Sequence, residues 1–188
     1  MNKFGKIILG KFMLIYREGL MLEVIKIRRS IRTYIDKEVE YEKIREILKA
    51  AMQAPSSKNS SPWEFVVVDD KSILEDLSNC HHKAKHIKNA NKCIVVTGNK
   101  NRFLKPGKWL HDLGACTENI LLECTNQNLA SSWVGVHPKP KVIDKVRETL
   151  NLPDYLIPYS IVAIGYSEEK NYFKDKFDEN KIHLNKFE

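Results

Sequence analysis

Hydrophobic residues follow two patterns along the chain. One is a period of three or four residues, which predicts helices, and the other is a short continuous apolar run, which predicts strands. From Tyr41 to Ala54 apolar residues recur every three or four positions, which is the period of an amphipathic helix. Apolar runs rich in β-branched residues begin at Trp63, Lys92 and Tyr159, and they are short enough to predict buried strands. Because no Asn-Gly hairpin signal joins these segments, the pattern predicts an α+β or α/β domain whose sheet is covered by helices.

The longest helical segment is predicted to be a central, buried helix. Residues 108–129 carry apolar side chains around nearly the whole circumference, which indicates packing on several sides and is compatible with a subunit interface. Shorter elements are predicted as helices over 22–29, 71–79 and 139–152 and as a strand over 131–136.

The first twenty residues differ in pattern from the rest of the chain. The apolar run from Ile7 to Tyr16 is interrupted by Lys11 and is too short to span a membrane, and no small-residue cleavage site follows it. We therefore expect residues 1–20 to be an appended helix or an artefact of the assigned start site. The domain proper is expected to occupy residues 21–188.

Composition and charge are those of an ordinary globular protein. The chain has 188 residues, of which 43% are hydrophobic and 29% are charged, enough for one domain with a buried core. The net charge of +7 favours an anionic ligand. The lysines are spread over all segments beside acidic residues, however, whereas nucleic-acid binders usually gather basic residues on one helix or stripe. A basic nucleic-acid-binding module is therefore the less favoured alternative, and no membrane association is expected.

Neither the cysteines nor the histidines predict a metal site. The four cysteines form no CxxC pair, and Cys116 and Cys124 lie in the apolar helical segment. They are predicted to be buried thiols of a protein in a reducing cytoplasm. His81, His82 and His86 lie close together in the sequence, but no further ligand type stands at a suitable spacing, so they are predicted to form a solvated face.

Familiar catalytic motifs are missing from the sequence. It contains no GxSxG elbow, no GxxxxGK[ST] loop, no HExxH and no GxGxxG after a strand. If the protein is an enzyme, a cofactor is expected to carry the chemistry while the protein binds and orients it. No side chain is therefore assigned as a catalytic acid, base or nucleophile.

A cluster of positive charge precedes the amphipathic helix that begins at Tyr41. The stretch IRRSIRTY contains Arg28, Arg29, Ser30 and Arg32. Arginine forks together with a hydroxyl are suited to a phosphate, and on a helix or tight turn Arg28 and Arg32 would share one face. Charge alone leaves two interpretations open, an anion site or an exposed basic turn that pairs with Asp36 and Glu38.

Four segments, in their order and spacing, resemble the nitroreductase family of flavin-dependent oxidoreductases. These segments are RRSIRTY, APSSKNSSPWEFVVV, DLGACTENILLECTNQNLASSWVG and IVAIGYS. The resemblance covers residues 22–188 and is to the short, single-domain branch of the family. It implies an α+β fold with a central, mostly antiparallel sheet covered by helices. It also implies a homodimer with the long central helix at the interface and FMN bound between the subunits.

The resemblance implies cofactor-binding residues in four parts of the chain. A basic motif for the phosphate and the ring matches Arg28, Arg29, Ser30 and Arg32. A loop that contacts the flavin from the other subunit matches Pro55, Ser56, Ser57 and Asn59. The segment over one face of the flavin matches Trp133, Val134 and Gly135. Basic residues on the phosphate near the end of the chain match Lys174 and Lys176.

The resemblance gives two of these residues a chemical role. At two further positions the chain departs from the family's pattern. Arg32 is expected beside atoms N1 and O2 of the flavin ring, where a fixed cation stabilises the charge of reduced flavin. The backbone N–H of Gly135 is expected to point toward N5, since glycine lets the backbone approach a planar ring. Ser61 replaces the usual Gln, so no side-chain contact is assigned there. Val136 replaces a second glycine, which predicts a narrower pocket.

The resemblance finally implies a reaction in two halves. NADH or NADPH would transfer hydride to N5 of FMN, leave, and be replaced by an electron-poor acceptor such as a nitroaromatic compound or a quinone. Other flavin chemistry on the same fold, such as dehalogenation or flavin fragmentation, is the alternative.

Overall fold

The computed structural model describes residues 5–9, 12–16 and 21–187, the first two ranges as backbone only. Those two ranges are strands, β1 (Gly5–Leu9) and β2 (Phe12–Tyr16), which pair antiparallel in a sheet of their own. The prediction of a helix for this part of the chain is therefore wrong, because the β-branched and aromatic residues of these two ranges favour paired strands. The assignment of residues 1–20 as an extension stays a prediction.

The fold is built on a four-stranded antiparallel sheet with the order β3-β4-β6-β5. Its strands are β3 (Trp63–Val68), β4 (Lys92–Asn99), β5 (Ala130–Gly135) and β6 (Leu156–Gly165). Every residue of β4 is buried, which explains its continuous apolar run, since helices cover both faces of the sheet. The predicted α+β class with an antiparallel sheet is confirmed.

Five α-helices accompany this sheet in the described part of the chain. They are α1 (Glu23–Ile27), α2 (Tyr41–Met52), α3 (Lys71–Ser78), α4 (Lys108–Asn126) and α5 (Pro140–Thr149). Short 3₁₀ turns span Ser57–Asn59, His82–Asn89, Lys100–Arg102 and Glu179–Lys181. The helix α4 ends earlier than predicted because Asn128 takes a left-handed conformation with φ of 58°, a common helix stop.

The two faces of the sheet form two separate parts of the core. On one face, Ile94 and Val96 of β4 belong to a cluster with residues of α2 and α4. On the other face, Cys93 and Val95 belong to a cluster with residues of α3, α5 and the His82–Asn89 turn. Side chains of a strand alternate between the two faces. The long helix α4 is therefore central, as predicted, and β5 forms an edge of the sheet beside it.

Candidate functional site

The arginine cluster lies on an extended segment and not on a helix or tight turn. The helix α1 ends at Ile27, and Arg28 already has extended angles of φ −49° and ψ 129°. The N–H of Ile31 donates to the carbonyl of Ser131 at 3.0 Å, so the segment runs along β5. The helical prediction is wrong because the open edge of β5 offers backbone partners to an extended chain.

Arg32 faces the same cavity as the segment that was predicted to lie over the flavin. Arg32 is exposed, and together with Trp133, Val134 and Gly135 it lines a cavity of about 360 Å³. This volume lies in the range of small-molecule sites. Two stretches about a hundred residues apart in the sequence are thus brought together by the pairing of the arginine segment with β5.

Three further basic residues line this cavity, and the sequence did not single them out as a site. They are His81, Lys83 and Lys139. His81 and Lys139 are 58 positions apart, and Lys139 Nζ lies 2.9 Å from His81 Nε2. No local spacing could have predicted this pair, because it depends on how the turn after β5 packs beside the His82–Asn89 turn.

The edge of β5 presents backbone groups toward the cavity. The N–H of Val136 donates to Tyr159 of β6 at 3.0 Å, whereas the carbonyl of Ser131 faces the arginine segment. Because neighbouring residues of a strand point their backbone groups to opposite sides, the N–H of Gly135 faces away from β6. The Val136 side chain is fully buried in the core, so the predicted narrowing of the pocket by this residue is wrong.

Arg28 and Arg29 have different surroundings. The Nε of Arg28 lies 3.1 Å from a carboxylate oxygen of Glu118 on α4. Arg29 stacks on Tyr172 with 4.8 Å between guanidinium carbon and ring centre, and its Nε and Nη2 are buried with no hydrogen-bond partner among the described residues. Buried donors without a hydrogen-bond partner carry a free-energy cost. In the described part of the chain, no arginine of the cluster pairs with Asp36 or Glu38, which removes the basic-turn interpretation.

The tail of the chain begins against the arginine segment. The backbone N–H of Arg29 donates to the side-chain oxygen of Asn171 at 2.8 Å, and Lys26 lies over the ring of Phe173 at 5.2 Å. Lys174 and Lys176 follow directly, but both are exposed and neither lines the cavity. Their phosphate contact stays a prediction.

The Pro-Ser-Ser loop lies elsewhere in the same chain. Pro55, Ser56, Ser57 and Asn59 do not line the cavity. Asp112 of α4 accepts the backbone N–H of Ser57 at 3.0 Å, and Ser56 Oγ accepts that of Ser61 at 2.9 Å. The loop is therefore held in place by its own chain, with Asn59 at a positive φ of 56°. Its contact with a flavin of the other subunit stays a prediction.

A buried polar network supports the arginine segment from behind. Tyr34 Oη donates to the carbonyl of Ile31 at 3.2 Å and lies 3.3 Å from Ser132 Oγ, which His86 Nε2 approaches at 2.7 Å. Burial raises the pKa of Tyr34, and burial together with the charge of Arg32 lowers the pKa of His86. His86 is thus not part of a solvated face, contrary to the prediction.

The cysteines provide no reactive thiol at the site. Cys93, Cys116 and Cys124 are buried, as predicted for Cys116 and Cys124, and burial raises the pKa of Cys116 to about 12. Within residues 21–187, no group of three or more His, Cys, Asp or Glu side chains is arranged to hold a metal ion. The helices of the described chain are also too short or too polar to cross a membrane.

Comparison with known proteins identifies the family. The family model described as "Nitroreductase family" matches residues 25–92 and 80–166. A Methanothermobacter thermautotrophicus protein, provisionally named NADH dehydrogenase/NAD(P)H nitroreductase, is 37% identical over 167 residues, covering 89% of this chain and 87% of that protein. The FMN reductase [NAD(P)H] of Bacillus subtilis is 27% identical over 181 residues, covering 86% of this chain and 73% of that protein.

A solved structure gives the same result. The FMN-dependent nitroreductase of Clostridium difficile superimposes with a TM-score of 0.81 at 39% identity, covering 89% of this chain and all (100%) of the other. The chain belongs to the nitroreductase family.

Proposed function

We propose that this protein is an FMN-dependent oxidoreductase that passes electrons from NADH or NADPH to an electron-poor acceptor such as a nitroaromatic compound or a quinone. Support comes from the family membership and from relatives named for FMN and NAD(P)H. When bound, FMN supplies the redox chemistry by accepting hydride at N5 and passing it on. The protein then needs to bind, orient and stabilise the cofactor.

The observation that carries this proposal is that a cation and a backbone donor facing away from β6 lie at one cavity. Arg32 lines the cavity, and the N–H of Gly135 points away from β6 beside it. A flavin ring needs a cation near N1 and O2, where negative charge collects on reduction, and a donor near N5. Gly135 also leaves room for a ring, because a Cβ added there would meet nothing within 4 Å.

The phosphate of FMN is assigned to the buried side of the arginine segment. Arg29 has two buried guanidinium nitrogens without partners in the described residues, and the neighbouring Ser30 is exposed. Arginine and serine donors together suit a phosphate. Arg28 is held by Glu118, so its contribution to phosphate binding is expected to be smaller than that of Arg29.

The second half of the site is assigned to a second copy of the chain. The Pro55–Asn59 loop is shaped by α4 but does not reach the cavity of its own chain. A single chain also exposes large apolar side chains near both ends, such as Leu22 (68% exposed) and Phe177 (73% exposed). Exposed apolar residues of this kind favour an interface, so a homodimer with FMN between the subunits is proposed.

An activity assay tests the reaction. Purified protein is mixed with NADH or NADPH, and nicotinamide oxidation is followed with and without a nitroaromatic compound or a quinone. Acceptor-dependent oxidation is expected. If the rate does not depend on any such acceptor, a nitroreductase activity is excluded and other flavin chemistry of the same fold takes its place.

The phosphate assignment is tested by the variant Arg29→Ala. Loss of a charge-assisted contact of about 1.5–3 kcal/mol weakens FMN binding roughly tenfold or more. Affinity is measured by titrating protein freed of flavin with FMN and following flavin fluorescence. Arg45→Ala is the matched control, because Arg45 is exposed on α2 and belongs to another part of the surface. Equal FMN affinity in the Arg29→Ala and control variants would contradict the assignment.

A further inference from the structure

The cavity contains more positive charge than the proposed cofactor ring accounts for. Arg32 is assigned to the ring, but His81, Lys83 and Lys139 line the same space. These residues come from two separate turns, at the start of the His82–Asn89 turn and directly before α5. Their position beside Trp133 places them where a reactant on the ring would extend.

Carboxylates do not neutralise these cations in the described part of the chain. Among those residues no carboxylate oxygen lies within 4.0 Å of the charged nitrogens of Arg32, Lys83 or Lys139, whereas Lys92 and Arg147 each have such a partner. A cleft lined by one sign of charge concentrates ligands of the opposite sign. The unneutralised charge therefore favours an anion in this part of the cavity.

The geometry of the pair His81 and Lys139 fixes one of these cations. Lys139 Nζ lies 2.9 Å from His81 Nε2, and His81 Nδ1 accepts the backbone N–H of Lys83 at 3.2 Å, so one imidazole joins the two segments that carry the lysines. Burial, and then the charges of Lys139, His82 and Lys83, lower the pKa of His81. The contact with His81 holds the side chain of Lys139 at the cavity, which favours directional binding of an anion.

We propose that this cluster binds a carboxylate or phosphate carried by the reactant, so that the enzyme selects anionic molecules. Lys139 and Lys83 bind the anionic group, while the electron-poor ring or the nicotinamide of the same molecule lies beside Trp133. The inference rests on the proposed function. The anion has two sources, a carboxylate on the electron acceptor or the extra phosphate that distinguishes NADPH from NADH.

Binding of unreactive ring compounds tests the cluster directly. Benzoate and benzamide have similar shapes and differ in charge, and their dissociation constants are measured on the FMN-loaded protein from the change in flavin absorbance. Wild type is expected to bind benzoate more tightly than benzamide. Lys139→Gln is expected to reduce that preference about tenfold, as for one charge-assisted contact. Lys83→Gln is expected to act in the same direction.

The matched control is Lys141→Gln. Lys141 is exposed on α5, two positions after Lys139, and does not line the cavity. The control removes the same charge from the same region of the surface. Its preference for benzoate is expected to equal that of wild type, which separates a local contact from a general loss of positive charge.

Kinetics distinguishes the two sources of the anion. The kcat/KM values of wild type and Lys139→Gln are compared for 4-nitrobenzoate and 4-nitrobenzamide, and separately for NADPH and NADH. The variant-to-wild-type ratio cancels the different intrinsic reactivities of the compounds. A selective loss for 4-nitrobenzoate assigns the anion to the acceptor, and a selective loss for NADPH assigns it to the donor.

Failure of this inference and failure of the proposed function give different experimental results. Yellow, active protein whose benzoate preference and kinetic ratios are the same in wild type, Lys139→Gln and Lys83→Gln would overturn this inference and leave the proposed function intact. Protein that takes up no FMN would overturn the proposed function, and the inference with it.

Discussion

Two glycines near the arginine segment have opposite surroundings, and each makes the site possible in its own way. A Cβ on Gly165 would lie 2.8 Å from Cδ1 of Tyr34, closer than real Cβ contacts allow, whereas a Cβ on Gly135 would meet nothing within 4 Å. Gly165 therefore gives space to the tyrosine that holds the arginine segment. Gly135 leaves open the space that the flavin ring is proposed to fill.

Gly135→Ala tests the placement of the ring. The added methyl group has room in the protein without cofactor, so the midpoint of thermal unfolding of the flavin-free protein is expected to stay within a few degrees of wild type. The same methyl group would separate the ring from the backbone, and FMN affinity is expected to fall tenfold or more. Unchanged FMN affinity would show that the ring does not lie against this residue.

Gly165→Ala tests the support of the arginine segment. The ring of Tyr34 has to move, which is expected to destabilise the protein by about 1–3 kcal/mol, as overpacking does. Because Tyr34 Oη bonds to Ile31, FMN binding is expected to weaken as well. Urea unfolding and FMN titration measure the two effects.

A second glycine substitution serves as the control for this prediction. In Gly114→Ala the Cβ would meet only Tyr159 Oη, at 3.3 Å, and alanine favours a helix. Its stability is expected to equal or exceed that of wild type. If Gly165→Ala were as stable as this control, the packing of Tyr34 on β6 would be wrong.

At the residue scale, the sequence was informative where a residue type has a special chemical property. Arg32 and Gly135 were predicted from the resemblance to the family, which agrees with the charge of arginine and with the lack of a side chain in glycine, and both line one cavity. The pair of His81 and Lys139 was not predicted, because their contact spans 58 positions. Val136 was expected to narrow the pocket, but the alternation of side chains along the edge strand places it in the core.

At the scale of elements, the arginine segment shows how tertiary pairing overrides a local pattern. Three arginines and a serine within five positions suit a helix face or a turn, yet the segment is extended because β5 has an open edge. Helices and buried strands were predicted more successfully, since their hydrophobic patterns depend only on residues that are close in the sequence. The pairing of the arginine segment with the edge of β5 is a long-range feature, so a local hydrophobic pattern does not predict it.

The network behind this segment makes the stability of the protein sensitive to acid. The pKa of His86 is lowered in the folded protein by burial and by Arg32, below its ordinary value of 6.5. The unfolded chain therefore binds a proton more readily, and the stability contributed by neutral His86 is present above about pH 6.5 and lost as the pH falls below it.

His86→Gln tests this contribution. Glutamine is able to bond to Ser132 and does not titrate, so the loss of unfolding free energy between pH 7 and about pH 5 is expected to be smaller than in wild type. His111→Gln is the control, because His111 is exposed on α4. Urea unfolding at each pH provides the measurement. Equal losses in wild type and His86→Gln would show that His86 does not couple folding to acid.

At the scale of the whole molecule, the alternation of helical and strand-like segments predicted a sheet covered by helices. The antiparallel order β3-β4-β6-β5 did not follow from that alternation, which left α+β and α/β equally open. The resemblance to a family provided the choice, and the structure and the comparisons confirm it. The homodimer stays a prediction, carried by the apolar side chains that a single chain exposes.

The proposed function also depends on the whole molecule, because a site between subunits needs both copies. One copy provides Arg29, Arg32 and the edge of β5, which are close together in a single chain. The Pro55–Asn59 loop is held by α4 away from that cavity. The two parts form one site only if the chains associate, so cofactor binding and dimerisation are expected to depend on each other.

The absorbance spectrum of the purified protein is the most direct test of FMN binding. We expect a yellow protein that absorbs in the blue and releases FMN on denaturation, or that takes up FMN when it is supplied. A colourless protein that binds no added FMN would show that this protein is not an FMN-dependent oxidoreductase. Salt-sensitive binding of DNA or RNA by such a protein would favour the basic nucleic-acid-binding module instead.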